Sequence, residues 1–402
     1  MISVSVRLAL SWMFACAVSA QSPTETEWPR FRGPEGNSIV LDPAFHAPTV
    51  AQGRKLWTAS VGKGYSGLSI AAGKAVTLGN KDGRDQVVCL DAASGRELWR
   101  HDYPAEPGSY PGPRASPWIE GNRVYAMSYW GHVYCLDVAS GRPLWSRNVA
   151  QEVGADHGRW GFAGSPVVDG NALIINVGKA GCALDEATGR LLWKTGGGTS
   201  GYSTPVPLRH RGRPHWAIFG AKAFYLVEAA GGRIAFQHPW ETSWDVNAAD
   251  PLPVGDRVFI TSGYGKGCAL LDLAGSEPKE VWRNKAIASH FSSVVLHKDH
   301  IYGCDGNTGK GHLVCLRAAD GQELWRETLG FGSVILINDT LVHFNEKGTI
   351  TIAPAQTEGF RSIARVENVV TGGKVWTAPV YAYGRLFMRN DQGDIAAIAA
   401  SR

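Results

Sequence analysis

Apolar residues in this chain gather in short runs, and each run ends at a turn residue. Residues 87–90 (Val-Val-Cys-Leu) and 132–136 (His-Val-Tyr-Cys-Leu) are two such runs, and an aspartate follows each of them. Runs of strand length between glycine-rich turns predict β-strands, and the spacing of an amphipathic helix is almost absent. The pattern therefore predicts an all-β protein.

A turn signature recurs along the chain. Residues 91–99 read Asp-Ala-Ala-Ser-Gly-Arg-Glu-Leu-Trp, and close copies stand at 137–145 and 185–193. Weaker copies follow at residues 228–236, 272–282, 317–325 and 353–363. The tryptophans of the first three copies lie 46 and 48 residues apart, a period that is typical of one four-stranded β-propeller blade.

Three residue types of the signature have a predictable structural role. The aspartate opens a tight turn by accepting backbone N–H groups, and the glycine takes the positive φ that the hairpin needs. The tryptophan lies on the return strand and can fill the gap between neighbouring blades. The residues in these roles are Asp91, Asp137, Asp185, Gly95, Gly141, Gly189, Gly321, Trp99, Trp145, Trp193 and Trp325.

A second pattern, a small residue or proline before a short apolar hairpin, predicts the innermost strand of each blade. Eight such strands are counted, near Leu68, Pro117, Pro166, Pro205, Pro251, Val294, Val334 and Pro379. The last blade lacks an outer strand, which residues 54–59 can supply. We therefore predict an eight-bladed β-propeller of four-stranded antiparallel blades over residues 54–402, closed by its N-terminal strand. Seven blades are the alternative if the fourth or seventh unit is misread.

The residues before the propeller carry a different signal. Residues 1–20 combine Arg7 with an apolar stretch and small residues at positions 18 and 20, which predicts a cleaved signal peptide and a periplasmic or secreted protein. Residues 21–53 are expected to form an irregular arm packed on the ring. No segment predicts a transmembrane helix. The net charge of +4, without a dense Lys/Arg cluster, argues against nucleic acid as a partner.

The signature Asp-x-x-[Ser/Thr]-Gly-Arg-x-Leu-Trp resembles the repeat of the pyrroloquinoline-quinone-like (PQQ-like) propeller proteins. The resemblance covers residues 54–402, and residues 28–34 (Trp-Pro-Arg-Phe-Arg-Gly-Pro) are similar to the start of many secreted members. It implies one of two branches: PQQ-dependent dehydrogenases, which hold a quinone and Ca²⁺, or BamB-like subunits of the machine that inserts outer-membrane barrels. The dehydrogenases typically carry an adjacent Cys-Cys pair, which this sequence lacks. We therefore expect no cofactor, with PQQ as the alternative.

The cysteines point to packing rather than to chemistry. Six cysteines follow the predicted signal peptide, and most of them occupy the same place in the repeat. The sequence has no haem or zinc motif, and segment 305–311 lacks the last carboxylate of a calcium loop, so no metal is expected. We expect free thiols, and a Cys304–Cys315 disulfide across one hairpin is the alternative.

Candidate ligand contacts lie in the loops that lead into the inner strands. The connection at residues 239–251 is longer than a tight turn, and its Trp240 and Trp244 are expected to fill gaps between blades. Asp156 and His157 are interpreted as a polar loop rather than a catalytic pair, because adjacent residues on an extended chain point apart. If a ligand site exists, we expect it where these loops converge at the funnel mouth, at Arg114, His157, Trp160, Tyr202, Trp244, Asn247, Asp250, His290 and Trp376.

Three hypotheses about function follow. The first, which the missing catalytic motifs favour, is a non-catalytic scaffold that binds envelope proteins or polysaccharide, for instance in outer-membrane protein assembly. The second is a PQQ-dependent oxidoreductase, and the third is a carbohydrate-binding propeller. The repeat specifies a fold and says little about the ligand, because unrelated functions share such folds.

Overall fold

The fold is a ring of eight small antiparallel sheets, each built mainly from consecutive strands. The structure is a computed structural model that describes residues 25–105 and 108–402, so the predicted signal peptide lies outside the described residues. The first strands of blades one to three contact one another, as do those of blades five to seven, which places the first strands at the centre of the ring. The predicted eight-bladed β-propeller is therefore confirmed, and the seven-bladed alternative is wrong.

The strands take the same four positions in every blade. The inner strands are Ser69–Ala71, Trp118–Glu120, Val167–Asp169, Val206–His210, Leu252–Val254, Val295–His297, Gly332–Ile337 and Val380–Ala382. The second strands are Lys74–Lys81, Arg123–Met127, Ala172–Ile175, Arg213–Phe219, Arg257–Ser262, His300–Gly306, Thr340–Asn345 and Arg385–Arg389. The third strands are Arg84–Asp91, His132–Asp137, Cys182–Asp185, Ala223–Glu228, Gly267–Asp272, Gly311–Arg317, Ile350–Pro354 and Asp394–Ala399. The outer strands are Glu97–Pro104, Pro143–Asn148, Leu191–Lys194, Ile234–Pro239, Lys279–Asn284, Glu323–Thr328, Ala364–Val366 and, in the eighth blade, Lys55–Ser60.

A few short elements lie outside this pattern. Ile39–Val40 adds a parallel fifth strand to the seventh blade, and Ala155–Asp156 pairs with Gly198–Thr199. The helices Ala47–Ala51 and Val149–Val153 and the 3-10 turn Ser243–Asp245 are each one turn or so long. Of the helices that the structure describes, none has the length and hydrophobicity needed to cross a membrane.

The N-terminal strand closes the ring, as predicted. Lys55–Ser60 pairs antiparallel with Asp394–Ala399, so that Trp57 faces Ala397 in the register. The last blade therefore combines strands from both ends of the propeller. Without this pairing, the backbone N–H and C=O groups along one edge of Asp394–Ala399 would have no strand to bond to.

The turn signature joins the third and outer strands of a blade in the way that the sequence predicts. Asp91 accepts hydrogen bonds from the backbone N–H and the hydroxyl of Ser94, and Gly95 has φ +73°. Asp137 and Asp185 make the same bonds to Ser140 and Thr188. These bonds fix the hairpin through residues that are close together in the sequence.

The tryptophan of one blade packs on the turn glycine of the next. The Trp99 indole lies against Gly141, and its Nε1–H donates to the Val138 carbonyl at 2.9 Å. Trp57 lies in the same way against Gly95, with its Nε1–H bonded to Ala92. The repeat thus supplies both the large ring and the glycine that makes room for it, and this contact links one blade to the next.

A series of hydrogen bonds runs around the axis at the start of the inner strands. In five successive blades, a backbone N–H donates to a side-chain oxygen of the following blade, over 2.8–3.1 Å. We call this series the axial ladder; its residues are Gly67, Ser116, Ser165, Thr204, Asp250 and Ser293. The small residues of the sequence pattern therefore fit the crowded axis and also join neighbouring blades.

Residues 28–40 of the N-terminal arm lie across the inner strands, whereas the helix Ala47–Ala51 packs against Ala364–Val366 of the seventh blade and Asp394–Ala399 of the eighth. Trp28 pairs with Ile70 of the first blade, and the Pro29 carbonyl accepts a hydrogen bond from Ile119 of the second. Further along, the Ser38 carbonyl accepts a hydrogen bond from Leu336 of the seventh blade. This arm forms the floor of the space around the axis.

The six cysteines of the described residues are free and buried. Cys304 faces Leu313 in the register and Cys315 faces Tyr302, so the two cysteines are not opposite each other. Burial raises the pKa of the Cys304 thiol to about 12. Free thiols are therefore confirmed, and the Cys304–Cys315 disulfide is not formed.

Candidate functional site

A cavity of about 350 Å³ lies on the axis above the arm. Its walls come from the segments that lead into all eight inner strands, and Trp28, Phe31 and Arg32 of the arm contribute to its lining. We call it the funnel cavity, and the loops around its opening the funnel mouth.

The structure brings six of the nine predicted site residues together around this cavity and leaves three outside its lining. The six lining residues are Arg114, Trp160, Tyr202, Asp250, His290 and Trp376. The other three are His157, Trp244 and Asn247. The role of any of the nine in binding a ligand stays a prediction.

Asn247 holds the long loop together rather than facing the cavity. Its buried amide donates to the carbonyls of Gly220, Ala221 and Trp240, each at 3.0 Å. Its side-chain oxygen accepts a hydrogen bond from Ser262. All these bonds are internal to the propeller, so the side chain serves the shape of the loop.

The two tryptophans of the long loop have different surroundings. Trp240 is fully buried between the fourth and fifth blades, as expected. Trp244 has φ +67° and 61% of its surface exposed, so the expectation that it fills a gap between blades is wrong. Its left-handed backbone carries the ring out of the core, where it packs on the guanidinium of Arg159.

His157 belongs to an aromatic cluster beside the cavity. Its ring lies 4.7 Å from Trp130 and 5.6 Å from Tyr129, measured between ring centroids. Its Nδ1 bonds to the carbonyl of Gly158. The sequence indicates a polar loop, and the structure places the His157 ring among aromatic side chains instead.

Aromatic rings dominate one wall of the funnel cavity. Tyr65 stacks on Trp376 with centroids 5.4 Å apart and an angle of 27° between the rings. Phe291 and Tyr110 lie 5.5 and 6.1 Å from the same Trp376 ring. The Arg114 guanidinium sits 5.2 Å from the centre of the Tyr65 ring. This wall offers flat apolar faces to a ligand.

The charged groups of the cavity are engaged within the protein. Asp250 forms an ion pair with Arg32 over 3.5 Å and accepts the Thr204 N–H. Burial raises the Asp250 pKa to about 6, and the charge of Arg32 opposes that rise. Arg114 donates to three main-chain carbonyls of its own loop, at Ser109, Tyr110 and Gly112.

His290 is the titratable ring of the cavity wall. Burial lowers its pKa to about 4, so it is neutral near pH 7. A general base works best with a pKa near the operating pH, so His290 is poorly matched to that task. Among the described residues that line the cavity, Asp250 is the one carboxylate, so the paired carboxylates of a glycoside hydrolase are not assembled there.

The lining does not fit the calcium and quinone of the PQQ-dependent dehydrogenases. Ca²⁺ takes six to eight oxygen ligands, several of them carboxylates, whereas Asp250 already pairs with Arg32. Across residues 25–105 and 108–402, no group of three or more His, Cys, Asp or Glu side chains could hold a metal ion. A quinone with several carboxylates would also need cations, and Arg32 and Arg114 donate to protein oxygens instead.

Sequence reasoning missed several lining residues. Tyr65, Tyr110 and Tyr264 line the cavity. Tyr264 lies in the hairpin that joins Arg257–Ser262 to Gly267–Asp272. The position of Tyr264 between Gly263 and Gly265 could have indicated an aromatic side chain at the tip of a hairpin. Arg32 had no local signal, because its partner Asp250 is distant in the sequence.

The comparisons with known proteins agree on the fold. The chain matches the family PQQ_2, described as outer membrane protein assembly factor BamB, over residues 44–112 and 84–327. No match was found among curated proteins.

Two solved structures share the architecture at low sequence identity, and a third has a lower TM-score. The quinohemoprotein alcohol dehydrogenase of Comamonas testosteroni is 12% identical with a TM-score of 0.71, over 96% of this chain and 81% of its own. The computationally designed Ika8 protein is 13% identical with a TM-score of 0.60, over 86% of this chain and 99% of its own. BamB from Moraxella catarrhalis is 18% identical over 85% of each chain, with a TM-score of 0.47. The family match covers more than half of the chain, and the chain therefore belongs to the PQQ-like propeller family described as outer membrane protein assembly factor BamB.

Proposed function

We propose that the protein is a non-catalytic binding propeller of the cell envelope that holds its partner at the funnel mouth. The observation that carries this proposal is a contrast within the funnel cavity. Its aromatic rings face open space, whereas Asp250 and Arg114 are held by bonds inside the protein. Stacking on aromatic faces needs no titrating group, so such a lining suits binding better than proton transfer.

The family description supports an envelope setting. It names a factor in the assembly of outer membrane proteins, which supports an envelope protein as one class of partner. Cell-envelope polysaccharide is the other class, and the aromatic lining of the funnel cavity supports it. A periplasmic or secreted location goes with both classes. The chain would then act as a scaffold whose loops and blade edges present the binding surface.

A PQQ-dependent oxidoreductase is the second candidate function. The stacked Tyr65–Trp376 pair favours it, since a flat ring system could pack against this wall. The supply of ligands argues against it, because the one lining carboxylate of the described residues is paired with Arg32. We therefore rank it below the binding function.

The first test separates binding from redox chemistry. The protein is incubated with PQQ and Ca²⁺, passed through gel filtration, and assayed for quinone absorbance and for dye-linked oxidation of alcohols and sugars. We expect neither retained quinone nor oxidation. Stoichiometric PQQ after gel filtration would overturn the proposal.

The second test asks whether the funnel mouth holds a partner. Wild type, Trp376→Ala and the control Leu192→Ala are immobilised and exposed to envelope extract, after melting curves show that all three are folded. Trp376 lies in the cavity wall, whereas Leu192 is exposed on an outer strand. We expect wild type and Leu192→Ala to retain an envelope component that Trp376→Ala loses. Equal retention by all three would place binding elsewhere and contradict the proposal.

A further inference from the structure

Three exposed aromatic side chains at the funnel mouth stand on left-handed backbone. Tyr110, Trp244 and Tyr264 have φ values of +62°, +67° and +55°. Their exposed fractions are 53%, 61% and 38%. Bulky residues avoid this region of backbone conformation, and glycine adopts it freely. Because folding gains little from an exposed ring on strained backbone, these positions point to binding.

These three residues, which we call the rim aromatics, come from separate segments that meet at the funnel mouth. Tyr110 belongs to the loop before the second blade, Trp244 to the connection between the fourth and fifth blades, and Tyr264 to a hairpin of the fifth. Tyr110 and Tyr264 also line the funnel cavity. The rim aromatics therefore continue the aromatic wall outwards.

Arg159 connects the rim aromatics. Its guanidinium lies 4.5 Å from the centre of the Trp244 ring and 5.4 Å from that of Trp160. The Ser109 hydroxyl, next to Tyr110, donates to the Arg159 carbonyl at 2.9 Å. Burial raises the pKa of Tyr264, and the positive charge of Arg159 acts against that rise, so the two groups are within electrostatic reach.

The Arg159 guanidinium has open N–H groups. Within the described part of the chain, no carboxylate lies within ion-pair distance of it, Asp245 beside Trp244 included, and no acceptor takes a hydrogen bond from it. A guanidinium held against aromatic faces keeps its planar fork free to bind a carboxylate with two hydrogen bonds. The funnel mouth thus offers flat apolar faces beside a site for an anion.

We infer that the funnel mouth binds an acidic polysaccharide, a polymer of uronic acid units, and this inference rests on the proposed binding function. The C–H face of a sugar ring packs on an aromatic ring, and the carboxylate on each ring can reach Arg159. A peptide made of acidic residues, such as poly-glutamate, has a carboxylate on each unit but no ring that could pack on an aromatic face. Single-stranded nucleic acid would need a basic groove along its backbone, and the net charge of +4 is spread without a dense cluster.

The experiment uses the full-length protein and purified polymers. Polygalacturonate is titrated by calorimetry, with neutral dextran and poly-glutamate as comparison ligands. The variants are Arg159→Gln and Trp244→Gly, and the matched controls are Arg142→Gln and Leu192→Ala. Arg142 follows a turn glycine at the opposite end of the blade, away from the funnel mouth, and Leu192 is on an outer strand.

We expect polygalacturonate to bind at least about tenfold more tightly than either comparison ligand. Arg159→Gln and Trp244→Gly should each weaken binding about tenfold or more, and both controls should bind like wild type. Trp244→Gly should melt at the same or a higher temperature than wild type, because glycine relieves the left-handed strain. A loss of binding with undiminished stability cannot be due to misfolding.

Each of three results would overturn the inference. Poly-glutamate binding as tightly as polygalacturonate would show that charge alone acts, and an unaltered affinity in Arg159→Gln would remove the anion site. If no uronate polymer binds but Trp376→Ala still loses an envelope component, the inference fails and the proposed binding function stands. Retained PQQ would instead refute the proposed function.

Discussion

Arg32 and Asp250 form a buried ion pair that joins the N-terminal arm to the axial ladder. The Nη1 and Oδ2 atoms lie 3.5 Å apart, and only 3% and 2% of the two side chains is exposed. The corresponding ladder positions in neighbouring blades carry the hydroxyls of Thr204 and Ser293. Asp250 therefore places a charge where other blades have an uncharged group, and Arg32 is its counterion. This pairing explains why Asp250 is a poor candidate for catalysis.

Removing Arg32 should destabilise the protein by about 3 kcal/mol, because it leaves the Asp250 charge buried and unpaired. Asp250→Ser should place a hydroxyl at this position of the axial ladder, as in the neighbouring blades. The free energy of unfolding of the Arg32→Met/Asp250→Ser double variant should therefore fall by about 2 kcal/mol less than the sum of the two single losses. Urea unfolding of the four proteins measures this coupling. Additive losses would show that the pair does not act as a unit.

Gly141→Ala should destabilise the contact between the first and second blades. A Cβ there would lie 2.4 Å from Cε3 of Trp99, at a φ of +71°. Gly121→Ala is the matched control, since its φ is +54° and nothing lies within 4 Å of the added Cβ. Both variants should lose about 1 kcal/mol to left-handed strain, and Gly141→Ala about 1–3 kcal/mol more through overpacking.

Thermal or urea unfolding of these two variants provides the comparison. A similar loss of stability in both variants would mean that the Trp99 ring moves aside easily. Glycine would then be required at position 141 for its positive φ and not for the space it leaves.

The blades could be predicted from the sequence because each is set by local signals. An aspartate that bonds the hydroxyl three residues on, and a glycine with positive φ, act within one hairpin, as at Asp91 and Gly95. The site was harder to predict, because its bonds join distant parts of the chain. The residues around Arg32 do not predict that it pairs with Asp250. A tryptophan at position 244 likewise does not predict the left-handed backbone that exposes its ring.

The six cysteines of the described residues should resist thiol reagents in the folded protein. All six are buried, and burial raises the pKa of Cys89 and Cys268, each to about 12, so little thiolate is present at pH 8. We expect slow reaction with a dithiobis-nitrobenzoate reagent until a denaturant is added, and then reaction of all six. A reductant should leave the melting temperature unchanged, and a drop would reveal a disulfide.

His343 should make the protein less stable in mild acid. It lies in a second strand of the seventh blade with 1% of its surface exposed, and within the described residues neither ring nitrogen has a hydrogen-bond partner. Burial, helped by the charge of Arg365, lowers its pKa to about 4. The pKa in the unfolded chain is about 6.5. Between pH 6.5 and pH 4 the unfolded chain binds a proton at His343, whereas the folded protein does not. The free energy of unfolding therefore falls as the pH falls from 6.5 towards 4.

This group alone should remove about 2 kcal/mol of unfolding free energy between pH 7 and pH 5. His343→Leu should abolish that share of the loss, so its stability should decline less steeply over the same interval. Burial also lowers the pKa of His290 to about 4, and that second histidine contributes equally to both proteins, so the difference between their slopes isolates His343. Urea unfolding at the two pH values gives the slopes. Parallel slopes would mean that His343 takes up its proton without unfolding, through access to water that its buried position does not suggest.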